Sequence, residues 1–315
     1  MFDPRSPYHR RMWHYESDRP LSVAQLVSLG SLDARTAALL WLLVERHQSV
    51  IVSGPTDPTP GIGKTTTLNA LLGFLPEGST LVYTTGMYED FDFVDQVQPE
   101  TTCVLANEVS DHLSIYMWGR VARRLLRLPQ DGFAVATSCH ADTMADVLDM
   151  LTRDLKLTAA DVAYLGVVIN IGIVGRIWPP RRRFLTINFI APTLTADGDA
   201  GADGTTAGVS RQHAGGAGGV RLLPLATWDE TTDTFIPATG DALAEVAGIL
   251  GVTCDALEAA IQRRTVCMQT LASGRGVGLN AMREAVAALK QVEQLEADAG
   301  AAGATPRGSD DLDEA

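Results

Sequence analysis

Along the chain, short uninterrupted apolar runs alternate with longer segments whose apolar residues fall three and four positions apart. The stretches 49–53, 80–84, 102–106, 133–137 and 167–174 are apolar runs of strand length with little polar alternation. Strands covered on both faces of a sheet have that pattern. Between them, 64–75 places Leu68, Leu71, Leu72 and Leu75 on one helical face and stops at Pro76. Helices are also predicted over about 33–47, 112–128 and 143–155, and Ser22-Val-Ala-Gln25 forms a capping box for a short helix ending at Gly30. Such regular alternation specifies an α/β architecture with a mainly parallel sheet.

Further on, 184–190 and 220–225 read as two strands separated by a Gly/Ala/Asp/Thr-rich insert, and 228–235 as another turn and strand. The insert lacks the apolar residues a packed segment needs. From about 241 to 298 the period is helical. The expected organisation is a polar, Pro-broken segment (1–20), an α/β core (21–190), a flexible insert (191–219), a hairpin with a small helical domain (220–298) and a disordered acidic tail (299–315).

Composition narrows the function classes. Of 315 residues, 38 are Asp or Glu and 25 Lys or Arg, a formal net charge of −13. Nucleic acid is not the expected ligand, because holding a phosphate backbone requires a clustered positive surface. The lysines are only Lys64, Lys156 and Lys290. Abundant acid with scarce Lys suggests a halophile's cytoplasm, where dense carboxylates keep a protein solvated; a GC-rich genome with acidic tails is the alternative. Cys103, Cys139, Cys254 and Cys267 have no metal-ligand or disulfide-framework spacing. The first twenty residues carry charge throughout, unlike a signal peptide, and the longest apolar stretch, Ala37 to Val44, is far short of a membrane span. A cytoplasmic location is expected.

Three segments carry chemistry. Gly61-Ile62-Gly63-Lys64-Thr65-Thr66 lies between an apolar strand and an apolar helix, the setting of a phosphate-binding loop. There, backbone N–H groups and a helix N-terminus face phosphate oxygens. Lys64 is expected to reach the β- and γ-phosphates of ATP, and Thr65 to hold Mg²⁺ through its hydroxyl. The usual first glycine position is occupied by Pro58; from Gly54, the loop reads as complete with Asp57-Pro-Thr-Pro60 inserted. Glu108 ends the run 103–108, where a carboxylate can orient and activate water, or simply be solvated. His140 follows the next run and can contact a γ-phosphate, or be an ordinary loop residue. Asp111 and Asp142 are secondary candidates; each could instead favour the N-terminus of a following helix, as could Thr143.

Together these elements resemble the type II/type IV secretion-system ATPases, which also drive type IV pili and archaella, and the archaeal branch above all. The segments 19–30, 37–45 and 49–54 look like the start of that family's motor domain; Gly63-Lys-Thr-Thr-Thr-Leu-Asn-Ala-Leu71 is similar to its Walker A helix, and Ser138-Cys-His-Ala-Asp142 to its His box. Trp228–Phe235 and the later helices look like its C-terminal end. The resemblance implies a RecA-like P-loop core, ATP and Mg²⁺, a hexameric ring and an integral-membrane platform protein as partner. Three departures stand out. The family has an N-terminal domain that closes over ATP, and about twenty residues precede the motor-like segment here. Its Asp-box acidic pair falls on Thr85-Gly86, with Glu89 matching only a later Glu. Its arginine fingers have only Arg120, Arg123, Arg124 and Arg176 as substitutes by proximity. The implied function is an ATP-hydrolysing motor subunit; a weak or inactive nucleotide-binding paralogue and a different P-loop class, such as a nucleotide kinase or DNA-transfer ATPase, are the alternatives.

Overall fold

The computed structural model describes residues 20–55, 61–175, 180–193, 219–274 and 277–303. The expected N-terminal segment, the Asp57–Pro60 insertion, Arg176, nearly all of the low-complexity insert and the extreme acidic tail lie outside those residues.

Among the described residues eight strands form one mixed sheet, in the order β2-β3-β4-β1-β5-β6-β7-β8. They are β1 (Val50–Gly54), β2 (Thr80–Tyr83), β3 (Thr102–Val109), β4 (Ala134–His140), β5 (Val167–Val174), β6 (Arg181–Pro192), β7 (Val220–Asp229) and β8 (Thr234–Pro237). The five strands from β2 to β5 in that order pair in parallel, and β5 to β8 pair antiparallel. The later strands therefore extend the same sheet. The parallel half is built from the apolar runs: β1 is buried at every position, and β5 at all but one.

Helices cover both faces. On one lie α1 (Val23–Ser28), α2 (Ala34–Glu45) and α3 (Lys64–Leu71), joined by α7 (Gly240–Ile249), α8 (Cys254–Ser273) and α9 (Leu279–Gly303). On the other lie α4 (Gly119–Arg127), α5 (Met144–Asp149, continued by a π turn over Met150–Asp154) and α6 (Ala159–Ala163). Each start signal acts as sequence chemistry requires: Ser22 caps α1 in a capping box with Gln25, Asp33 caps α2, and Thr143 caps α5 with Asp146. Trp41 of α2 stacks on Phe74 (5.4 Å between centroids, planes 4° apart) in the first core layer. No helix among the described residues is long and apolar enough to cross a membrane.

One element departs from expectation. The helix predicted over 112–128 begins only at Gly119; residues 110–118 form a loop. The backbone explains it: β3 runs on to Val109, which bridges to Met117, while Met117 N donates to Glu108 O and Ser110 N to Met117 O. Gly119 sits at φ 58°, where a right-handed helix cannot run through. Leu113 and Ile115 of this loop are exposed.

Candidate active site

The candidate residues gather at the carboxyl edge of the parallel strands, the edge where open α/β sheets bind ligands. β1 leads into the segment containing Gly61–Gly63 and α3; β3 carries Glu108 and β4 ends in His140. Because β4 lies between β1 and β3, His140 comes between Lys64 and Glu108.

Gly63 precedes α3 at φ 103°, a left-handed conformation that glycine adopts without steric cost, and no side chain caps the helix. Its N-terminus therefore presents first-turn N–H groups beside Lys64, as an anion site requires. Ile62 is buried, Thr65 half-buried and Thr66 exposed. The Gly61 carbonyl accepts a 3.0 Å hydrogen bond from Arg182 of β6. Gly54 allows close packing by its size: a Cβ there would stand 2.3 Å from Ile62 Cδ1 and 2.5 Å from the Ile171 carbonyl. Beside this loop, Leu26, Leu29, Thr66, Arg182 and Phe184 line a cleft of about 490 Å³.

Lys64, only 9% exposed, places Nζ 2.9 Å from His140 Nδ1, and His140 Nε2 faces Glu108 Oε1 in direct contact. An ammonium has donors only, so Nδ1 must accept. The imidazole proton then lies on Nε2, the nitrogen beside the carboxylate, although the buried Glu108 Oε1 accepts no hydrogen bond from a described residue. Burial, the Lys64 charge and the nearby His112 push the His140 pKa down to about 4, which keeps the ring neutral. Burial lowers the Lys64 pKa, against the attraction of Glu108. Burial raises that of Glu108, opposed by Lys64 and His112. The result is a relay of cation, neutral imidazole and carboxylate in a partly dehydrated cleft, where electrostatic interactions gain strength.

His112 escaped the sequence reading. Its ring lies 4.6 Å from that of His140, and its Nδ1 is 2.6 Å from Ser110 Oγ. The 110–118 loop brings it there, so a helical expectation for that segment could not have found it. Asp111 is exposed on the same loop, with Oδ1 3.7 Å from His112 Nδ1; eight positions before α4 starts, it does not serve that helix N-terminus. Asp142 is exposed, and Thr143 is the residue that caps α5.

Glu89 is buried elsewhere: its carboxylate accepts from Thr85 N (2.7 Å), Thr85 Oγ1 (3.2 Å) and Phe91 N (2.9 Å), stapling the loop after β2. Of the arginines on α4, Arg124 donates to the Asp90 carbonyl (2.9 Å) and lies over the Phe91 ring (4.6 Å). Arg120 is exposed and Arg123 half-buried.

Fold and site together define an α/β protein with a mostly parallel sheet, consistent with nucleotide binding. The sequence model of the family described as type II/IV secretion system protein matches residues 16–87, from before α1 through the Gly61–Thr66 segment to the turn after β2. That stretch supports the secretion-ATPase superfamily. An uncharacterized protein of Methanocaldococcus jannaschii is 43% identical over 65 residues, 21% of this chain and 11% of that protein.

Proposed function

We propose that this chain binds ATP at the Gly61–Thr66 segment and hydrolyses it, as a RecA-like P-loop motor subunit of a type II secretion, type IV pilus or archaellum assembly. The observation that carries the reading is the contact of Lys64, His140 and Glu108, drawn from three separate elements into one cleft. The placement of one strand between those bearing the Lys and Glu segments also supports it.

In this reading Lys64 neutralises phosphate charge, together with the N–H groups opening α3. Glu108, its carboxyl raised by burial, aligns an attacking water and accepts its proton. His140 contacts both partners, so drawing the Lys64 ammonium toward phosphate changes what the imidazole offers Glu108. Among the described residues no group of three or more His, Cys, Asp or Glu is arranged to hold a metal. Thr65, half-buried in the first turn of α3 next to Lys64, would hold Mg²⁺ through its hydroxyl together with phosphate and water oxygens. Bound there, Mg²⁺ would supply further neutralisation of phosphate charge. A hexameric ring acting on an integral-membrane platform belongs to the same proposal, as do a cytoplasmic location and the division into core, insert and helical domain.

A second reading rests on Glu89. Because backbone and hydroxyl donors of its own loop occupy its carboxylate, and Thr85-Gly86 supplies no acid, in this reading nucleotide binds with slow turnover and the chain is a paralogue regulating an assembly. Mg-ATP turnover and calorimetry on purified protein in molar KCl separate the two. Lys64→Ala should abolish binding, and Glu108→Gln should bind normally with turnover reduced about 10²–10⁴-fold. Unchanged affinity in Lys64→Ala would remove the site. A wild type indistinguishable from Glu108→Gln would favour the second reading.

A further inference from the structure

Asn170 interrupts the apolar run of β5 with a side chain only 3% exposed. Its amide nitrogen lies 3.0 Å from Ser53 Oγ on β1, 3.3 Å from the Ala141 carbonyl and 3.0 Å from the Asp142 carbonyl. Two of these neighbours are carbonyl oxygens, so only the NH₂ end of the amide can face them. Ser53 in turn places its hydroxyl 3.4 Å from the Ile169 carbonyl, back on β5. Two of the linked segments matter to the site. Ser53 is the penultimate residue of β1, just before the turn toward the phosphate-loop segment; Ala141 and Asp142 immediately follow His140.

We infer that Asn170 is a positioning residue, fixing where His140 stands between Lys64 and Glu108 by holding the two carbonyls that follow it. The geometry explains why an amide is used. Chain leaving a strand tip has carbonyls without ladder partners, and those of Ala141 and Asp142 point inward, where an unpaired acceptor is costly. A hydroxyl has one proton and an apolar residue none, whereas one amide supplies two N–H groups to three oxygens. His140 itself pairs with Gly54 at the very end of the β1–β4 ladder, so the carbonyls just beyond it are where the strand tip is held or released. Ser138, two residues earlier, is tied independently to the Asn107 carbonyl (2.8 Å), leaving the segment after His140 as the part that Asn170 governs.

The catalytic consequence rests on the ATPase reading above, but the positioning role can be read without it. Imidazole ¹⁵N spectra should show wild-type His140 as a single tautomer protonated on Nε2. Asn170→Ala and the strand-compatible Asn170→Thr should turn it into a mixture of tautomers. Mg-ATP kcat should fall by about ten- to a hundredfold with KM nearly unchanged, the scale expected when a reacting group is misplaced by around an ångström. Asn188→Ala, at a buried position on the adjacent β6, controls for loss of stability alone. It should lower the melting temperature without altering the His140 spectrum. A wild-type His140 spectrum in both Asn170 variants would overturn the proposal and leave Asn170 as a core hydrogen bond. Absence of turnover in the wild type would sink the ATPase reading, while the spectra would still decide the positioning role.

Discussion

Replacing Gly54 with alanine tests the close packing beneath the candidate loop. A Cβ at Gly54 would lie 2.5 Å from the Ile171 carbonyl on β5 and 2.3 Å from Ile62 Cδ1. The isoleucine tip can rotate away. The carbonyl belongs to a paired strand, and reaching even a 3.4 Å contact requires β1 and β5 to part by nearly an ångström. Overpacking of that kind costs about 1–3 kcal/mol. At about 2–4 °C per kcal/mol for a chain of this order, the melting temperature should drop by roughly 2–12 °C. Gly54 has no left-handed φ, so the loss is steric and not conformational. Since Ile62 is displaced as well, and Gly63 and Lys64 follow it, affinity for Mg-ATP should fall by about tenfold or more, or ~1.4 kcal/mol. Thermal melts by circular dichroism and calorimetric titration measure the two effects. Gly248→Ala, in α7 and away from the loop, is the control, because a Cβ there meets no described atom within 4 Å. A Gly54→Ala protein melting within about 1 °C of wild type, with unchanged affinity, would refute the close approach and the link from β1 to the loop.

Arg264, 4% exposed, holds Glu45 of α2 and Glu293 of α9 and lies over the Trp41 ring (5.3 Å). Arg264→Leu should destabilise by about 3 kcal/mol in urea unfolding, the low end for a broken buried pair because both carboxylates keep some exposure; a loss under 1 kcal/mol would mark the network as incidental. With pH, the His140 imidazole binds its proton at about 4 in the folded protein and at the ordinary 6.5 when unfolded. The unfolded state therefore binds more protons between those values, and stability falls as pH drops from 6.5 toward 4. His140→Gln should flatten that part of a stability-versus-pH curve; an unchanged slope would show that the ring is not held neutral.

Strand positions were legible because each parallel strand is a short apolar run, and burial on both faces leaves no other use for one. Helix starts were legible where a side-chain cap announces them, as at Ser22, Asp33 and Thr143. Gly61–Thr66, Glu108 and His140 could be nominated because each follows a strand-length run. Their mutual contacts could not, since which strand lies between which is decided by long-range pairing. The 110–118 loop misled because no Pro or Gly interrupts the chain before Gly119, while the bridge from Val109 to Met117 that decides the matter is invisible to local pattern. Asn170 did leave a trace, as the lone amide within the apolar run of β5. Its meaning depended on the Ser53 hydroxyl of β1 and on the chain just beyond β4.

The first helices of the chain depend on the last. Ser22 Oγ donates to the Val277 carbonyl, Ser28 Oγ to the Ala272 carbonyl, and Glu45 is held by Arg264. Chains emerge from the ribosome N-terminus first, so α1 and α2 are made some two hundred residues before the surface that covers them. Through most of synthesis the apolar flank of α2 stays open to water, and the α-helical layer closes only once α8 has left the exit tunnel. A nascent chain stalled before α8 should therefore expose that flank to holding chaperones and proteases, although every residue of the candidate site has already been translated.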